Sequence, residues 1–291
     1  MRIGALEAGG TKMVCAIGDE HGQILEKISI PTKKPMDTVP EILDFFRQCS
    51  LDAIGIGTFG PVDLDQSSAT YGYITSTPKI FWRNFDLLGS IKKEYSIPIG
   101  LDTDVNASAI GEATYGITRD VDSSIYITVG TGIGVGVIVD GRVLHGMQHP
   151  EGGHVLLMKH SKDTYEGRCP YHHICLEGLA TGPAIEERWG VTQAAKLATD
   201  SFAWELESYY LAQALVDFTL VYSPKRIVLG GGVMHQKQLL PMIREKYKEL
   251  LNGYVDTPYV RDLEHYIVSY SLNDNQGIMG CIKIGLDEMK R

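Results

Sequence analysis

Two stretches of this chain, roughly 120 residues apart, follow one plan, and that repetition limits the folds open to it. In the first, the apolar run Ile3–Ala8 enters a turn at Gly9-Gly10-Thr11-Lys12. A second strand, Met13–Ile17, follows, then a turn over Asp19–Gly22 and a third strand, Gln23–Ile30. In the second, Ser124–Val129 runs into Gly130-Thr131-Gly132, then Gly134–Val139, the hairpin pair Asp140-Gly141 and a short strand Arg142–Leu144. Each stretch reads as a three-stranded β-meander. Two meanders, each followed by helical segments, predict two lobes of similar architecture facing one another.

The segments between and after them alternate strands with helices, which sets the class as α/β. Asp37–Arg47 reads as an amphipathic helix with Ile42, Leu43, Phe45 and Phe46 on its apolar side, and Ala53–Gly57 as a buried strand. Tyr71–Trp82 reads as irregular, Asp86–Tyr95 as helix and Pro98–Leu101 as strand; Asp104 opens a helix through Tyr115. Downstream, Gly182–Trp189 and Ser201–Tyr222 read as helices, the longer with Phe202, Leu206, Tyr209, Val216 and Leu220 toward the core. Strand Arg226–Leu229, the turn Gly230-Gly231-Gly232, helix Gln236–Leu251, strand Tyr266–Val268 and helix Asn275–Met289 complete the chain.

Charge and cysteine usage remove several classes of function. A net charge of −9 argues against nucleic acid as the main partner, because phosphate backbones call for a basic surface. The first residues meet a charge too soon for a signal peptide, and the longest apolar run, Val129–Val139, is too short and too rich in glycine to span a bilayer. Five cysteines, an odd number with Cys15, Cys49 and Cys281 scattered singly, fit a reducing compartment better than a disulfide framework. A soluble, cytoplasmic protein with no membrane partner is expected.

The glycine turns carry the first chemistry. Gly9–Lys12 joins two strands, so the strand–loop–helix context of a Walker A site is missing. Such a turn can still aim backbone N–H groups at an oxyanion, with Thr11 adding a hydroxyl and Lys12 a charge, while Glu7 could hold Mg²⁺ through water. By itself it is an ordinary hairpin turn more often than a phosphate site. Gly130-Thr131-Gly132-Ile133-Gly134 departs from the dinucleotide fingerprint, because Val135 stands where a further glycine should and no helix follows. Gly230–Gly232 lies between a strand and a helix, which suits a nucleoside or its phosphates packed on backbone. Three such clusters at strand ends together point to nucleotide binding. Asp104, in Asp102-Thr103-Asp104-Val105-Asn106-Ala107, reads either as an N-cap or as a carboxylate kept ionised by the helix N-terminus and ready to accept a hydroxyl proton.

A second chemistry lies between Glu151 and Glu177. Glu151-Gly-Gly-His154 is followed by a polar loop and Cys169-Pro-Tyr-His172-His173-Ile-Cys175-Leu-Glu177. The thiols and imidazoles of His154, Cys169, His172 and Cys175 have the donor types and spacing of a closed tetrahedral zinc site, which is structural and activates no water. Cys-x2-His favours His172, although His173 is adjacent. A metal there would also fix the flanking carboxylates of Glu151 and Glu177.

Taken together, Glu-Ala-Gly-Gly-Thr-Lys (7–12), Asp-Val-Asn-Ala (104–107), Gly-Thr-Gly-Ile-Gly (130–134), Glu-Gly-Gly-His (151–154), Cys-Leu-Glu (175–177) and Gly-Gly-Gly-Val-Met (230–234) resemble the ROK family of sugar kinases and repressors. Glu7 in place of the usual Asp, together with Gly57–Asp63 and Tyr71–Pro78, looks like the family's bacterial fructokinases. The resemblance implies an actin-like, hexokinase-type (ribonuclease H-like) two-lobe fold with the β-meander duplicated. Residues 1–115 would form the N-terminal lobe with a helix over 275–291 packing back on it, and 116–274 the C-terminal lobe with the zinc loop. It implies ATP-dependent phosphorylation of a hexose, D-fructose at its 6-hydroxyl, with catalytic Mg²⁺, structural Zn²⁺ and a homodimer. Asp104 would be the general base, and Glu151, His154 and Glu177 would contact sugar hydroxyls. Thr103 stands where the family usually has Asn, which alters one expected sugar contact. Gly9, Gly10, Thr11 and Lys12 with Gly130, Thr131, Gly132 and Gly134 would hold phosphates, and Gly230, Gly231 and Gly232 the adenosine. Glucose or mannose kinase of the same family is the alternative substrate reading. A sugar-sensing repressor would need a helix-turn-helix ahead of Ile3, and an actin-like assembly protein would need neither the zinc loop nor the sugar carboxylates.

Overall fold

Alternation along the first strand, β1 (Ile3–Ala8), divides its side chains between two apolar cores, Leu6 and Ala8 into one and Ile3 and Ala5 into the other. A strand buried on both faces must sit inside a sheet, and in a computed structural model, which describes residues 1–199 and 201–290, it does. β1 pairs antiparallel with β2 (Lys12–Gly18) and parallel with β4 (Ala53–Thr58). β3 (Ile24–Pro31) and β5 (Ile99–Thr103) complete a sheet of order β3-β2-β1-β4-β5. One face is covered by α1 (Pro35–Phe46) and α2 (Leu87–Lys92), through Ile42, Leu43, Phe45, Phe46, Leu87, Leu88 and Ile91. Against the other face lie α3 (Asp104–Tyr115) and α8 (Gln276–Glu288), through Ala107, Ile278, Cys281 and Ile282. Contact there is backbone-close: a Cβ on Gly280 would lie 1.7 Å from the Ala107 carbonyl oxygen, and one on Gly55 1.8 Å from that of Cys281.

The second sheet repeats the first. β6 (Ser124–Val129), β7 (Ile133–Val139), β8 (Arg142–Val143), β9 (Arg226–Gly230) and β10 (Ile267–Ser269) take the order β8-β7-β6-β9-β10, with β9 parallel to both β6 and β10. The duplicated meander expected from the glycine turns is present, and the likeness extends to two further parallel strands in each sheet. Helices α4 (Leu176–Ala180), α5 (Gly182–Trp189), α6 (Phe202–Tyr222) and α7 (Leu239–Leu251) accompany this sheet. Two expectations need correction here. In α6 Leu220 is 48% exposed, and the buried face runs through Trp204, Leu206, Tyr210, Leu211, Leu215 and Phe218; the helix is apolar nearly all round, so periodicity alone does not fix its inner side. Gly230–Gly232 does not lead straight into a helix: a 3₁₀ turn over Gly232–His235 intervenes, and α7 begins only at Leu239.

Contacts divide the chain into two compact units. One comprises Met1–Asp120, Val143–His149 and the chain from Ser271 onward; the other comprises Val121–Arg142 and Pro150–Tyr270. The first unit thus takes in Val143–His149, which the sequence assigned to the other lobe. Of the expected 275–291 helix, residue 291 lies outside the described residues. No helix among those described is long and apolar enough to cross a membrane.

Candidate active site and metal cluster

Register puts the first unit's chemistry on one edge. Ala8, Thr58 and Thr103 are level across β1, β4 and β5, so the segments that follow all leave at the carboxyl ends of parallel strands. That edge is where open α/β sheets bind ligands. The Gly9–Lys12 turn is closed by the Gly9 N–H donating to the Lys12 carbonyl (3.0 Å). It is braced by Thr32, whose hydroxyl donates to the Gly9 carbonyl (2.7 Å) and whose N–H donates to the Thr11 carbonyl (3.0 Å).

Asp104 is not the cap of α3. Thr103 caps it, its Oγ1 accepting the Asn106 N–H at 3.1 Å, and Asp104 is the first helical residue. β5 runs to Thr103 in step with Thr58, which puts the helix start one residue earlier than the Asp-cap reading. Relieved of capping, the Asp104 carboxylate accepts the adjacent Val105 N–H, on Oδ1 at 2.8 Å. Burial pushes its pKa up to about 6, against the pull of the backbone N–H groups of Val105 and its own residue. Glu7 lies on the β1 face that carries α3 and α8, so close to α8 that a Cβ on Gly277 would lie 2.6 Å from its carboxyl carbon. Burial, then the charge of Asp104, raises Glu7 to about 7, with Lys12 and Lys27 drawing it down.

No motif in the sequence assigns a role to Asp102 or His145. Asp102 is buried, and its Oδ1 accepts from the Asn106 side chain (2.7 Å) and the Thr103 N–H (2.8 Å). His145 Nε2 sits 3.0 Å from its Oδ2, and this bond raises the imidazole pKa against the lowering effect of burial. The two are 43 positions apart, and no spacing rule links them.

In the second unit, two of the glycine clusters are neighbours. Gly130–Gly134 joins β6 to β7, and Gly230–Gly232 follows β9, which pairs with β6. Gly231 has φ +89°, and a Cβ there would lie 2.4 Å from the Val129 carbonyl oxygen, so only glycine lets the two loops meet. Glu177, at the start of α4, accepts the Ile133 N–H on Oε2 at 3.0 Å, which ties that carboxylate to the glycine loop. Its Oε1 faces His154 Nε2 at 3.9 Å. Glu151 is exposed, and its carbonyl accepts the His154 N–H at 2.9 Å. A Cβ on Gly153 would lie 1.9 Å from the Ile133 carbonyl oxygen, so the Glu151–His154 segment is pressed directly on β7.

His154, Cys169, His172 and Cys175 converge, their ligand atoms all within 4.8 Å of one another. His154 Nδ1 lies 3.5 Å from Cys175 Sγ and 3.8 Å from Cys169 Sγ, and His172 Nδ1 lies 3.7 Å from Cys169 Sγ. Around a tetrahedral zinc a sulfur and a nitrogen ligand sit about 3.5 Å apart, so this donor set fits one ion. His173 is outside the cluster. It turns the loop with φ +53°, its N–H donating to the Cys169 carbonyl at 3.0 Å.

Comparison with known proteins agrees with this geometry. The ROK family model matches residues 3–288. A fructokinase of Pediococcus pentosaceus is 47% identical over 100% of this chain and 99% of its own length. A glucokinase of Halalkalibacterium halodurans is 27% identical over 94% of this chain and 92% of its own. Among solved structures, the ROK hexokinase of Thermus thermophilus, 26% identical, covers 100% of this chain and 99% of that one with a TM-score of 0.81, which makes the fold hexokinase-type. The family match over nearly the whole chain, on a duplicated sheet with glycine turns at its strand ends, establishes that this chain belongs to the ROK family.

Proposed function

We propose that this chain is a fructokinase that transfers the terminal phosphoryl group of ATP to the 6-hydroxyl of D-fructose, with Asp104 as general base. The observation that carries the reading is Asp104 itself. It stands at the carboxyl edge of the first sheet with Thr103 doing the capping, and its pKa of about 6 leaves it mostly ionised at neutral pH yet basic enough to take a hydroxyl proton. The choice of sugar rests on similarity: 47% identity to a fructokinase against 27% to a glucokinase, both over nearly full length.

In this reading the 6-hydroxyl oxygen attacks the terminal phosphorus as Asp104 takes its proton. The bond from that phosphorus to the bridging oxygen breaks, and ADP leaves with the electron pair. Lys12 and the Gly9–Lys12 turn, whose Gly9 N–H is spent on closing it, would hold phosphate oxygens with Gly130, Thr131, Gly132 and Gly134 and offset the charge spread over them. Gly230, Gly231 and Gly232 pack against the adenosine. Glu7 would hold Mg²⁺ through water, and the ion would supply charge neutralisation to the phosphates. Glu151, His154 and Glu177 orient the sugar hydroxyls with Thr103. His154 turns Nδ1 to the two thiols and leaves Nε2 for substrate. Zn²⁺ held by His154, Cys169, His172 and Cys175 would brace that segment, and the protein would act as a cytoplasmic homodimer.

An ADP-release assay over D-fructose, D-glucose and D-mannose tests the reading. A kcat/KM for fructose at least about tenfold above the others is expected, since a site built to bond one arrangement of hydroxyls rejects another by that much or more. A preference for glucose or mannose would overturn the fructose assignment.

A further inference from the structure

We infer that Lys79, which no motif flagged, is a second cation for the phosphoryl group held at the Gly9–Lys12 turn. This inference rests on the reading of that turn as a phosphate site. A Cβ on Gly10 would lie 3.2 Å from Lys79 Cε and 3.8 Å from its Nζ, so the side chain lies across the turn and the missing Cβ makes room for it. The chain carries 36 acidic residues, yet the ammonium of Lys79 takes neither a carboxylate nor any other partner among the described residues. Lys12, at the other end of the turn, likewise forms no ion pair among the described residues. Two lysines thus lie beside one glycine turn, neither held in an ion pair among the described residues, although the charge of Lys12 also acts on Glu7.

The base of Lys79 is fixed even though its tip is exposed. Its N–H donates to the Thr77 hydroxyl at 3.3 Å, and its carbonyl accepts the Trp82 N–H at 2.8 Å. Arg83 donates twice to the Thr77 carbonyl, at 3.2 and 3.1 Å. Trp82 is buried edge-on to Phe59 and Phe85, with its indole N–H on the Lys33 carbonyl at 2.8 Å. A stretch that reads as irregular in sequence is therefore braced by its own hydrogen bonds and tied to the rest of the unit through Trp82, and it carries one lysine back over the turn. A phosphoryl group in transfer spreads charge over three oxygens, and a hairpin turn lacks the helix that cradles phosphate in a Walker A site. A second ammonium supplies what that helix would. Gly10 and Asp104 share one sheet edge, so the group Lys79 meets is the terminal phosphoryl, next to the hydroxyl that Asp104 deprotonates.

The test compares nucleotides. Binding of ADP and of the non-hydrolysable ATP analogue adenylyl imidodiphosphate is measured calorimetrically for the wild type, Lys79→Met and Lys79→Arg. For Lys79→Met, affinity for the analogue should fall about tenfold, the worth of one charge-assisted hydrogen bond, and affinity for ADP by less than about twofold. Its kcat on fructose should fall with it, and Lys79→Arg should recover most of the loss. The melting temperature should not move, because the side chain is exposed. Equal losses for both nucleotides, or none for either, would overturn the assignment. A wild type that binds nucleotide but phosphorylates no hexose would sink the fructokinase reading and leave the Lys79 comparison intact; one that binds neither nucleotide would sink the phosphate turn and this inference with it.

Discussion

At the scale of single residues, two carboxylates on one sheet edge are held above their ordinary pKa for different purposes. For Asp104→Asn, kcat should fall by about 10²-fold or more with fructose affinity nearly unchanged, because the amide keeps the Val105 bond but cannot take a proton. Single-turnover kinetics with a fructose titration read both quantities, and near-normal turnover would reduce Asp104 to a structural residue. In the wild type, kcat/KM should decline as pH drops below about 6, the value to which burial lifts this base. Glu7 makes a stability prediction of known sign. Its folded pKa of about 7 lies above the ordinary 4.5, so the folded state holds the proton more tightly, and stability falls as pH rises across that interval. Glu7→Gln should therefore stabilise the metal-free protein by roughly 1–3 kcal/mol at pH 8 and by little at pH 4.5, read by denaturant titration at both values. The Asp104 motif was legible because Asp-Val-Asn-Ala is a local string. Whether Thr103 or Asp104 caps α3 was not: both are good caps, and the choice is made by where β5 ends against β4. Asp102–His145 and Gly10–Lys79 were illegible for a further reason. Each is a meeting of distant segments, settled by the tertiary fold.

At the scale of elements, the Cys/His loop and the α3/α8 contact carry predictions of their own. Stripping metal with a chelator should lower the melting temperature and weaken fructose binding together, since His154 belongs to the cluster and faces Glu177 as well. Fructose affinity that survives chelation would break the proposed coupling. Cys169→Ser should behave like the chelated protein. The loop's four-residue donor set, His172 included, was readable from spacing, and the positive φ of His173 is the backbone conformation that takes that neighbour out of the cluster. For α8, Gly280→Ala sets a methyl against the Ala107 carbonyl and should cost about 1–3 kcal/mol or more, checked by thermal melting. Periodicity shows the inner face of a helix with one apolar side, such as α1; α6 lies within one residue of its expected bounds, but it is apolar almost all round and its inner face is not marked in the sequence.

At the scale of the whole chain, the duplicated three-stranded meander was the most legible property, because a glycine turn between strands marks each meander locally; that each sheet adds two parallel strands in the same order was not read from it. The returns of the chain were less so. Val143–His149 rejoins the first unit over only seven residues, too short for a periodic signal, and α8 supplies Ile278, Cys281 and Ile282 to a core that begins at Ile3. A chain cut after Tyr270 should accordingly lose the cooperative melt of the first unit, with calorimetry as the check; two transitions of wild-type size would show that α8 is dispensable. This closure also sets an order of events at the ribosome. Synthesis runs from the amino end and domains generally complete in that order, but here the earliest residues wait for the latest. The second unit has all its strands once residue 270 has emerged, while the first must stay open, with one face of β1 and β4 covered only in part by α3, until Gln276–Glu288 is out. The nascent chain therefore exposes apolar strand surface until α8 arrives, and the span during which it needs shielding by chaperones is set by the length of everything between Ile3 and α8.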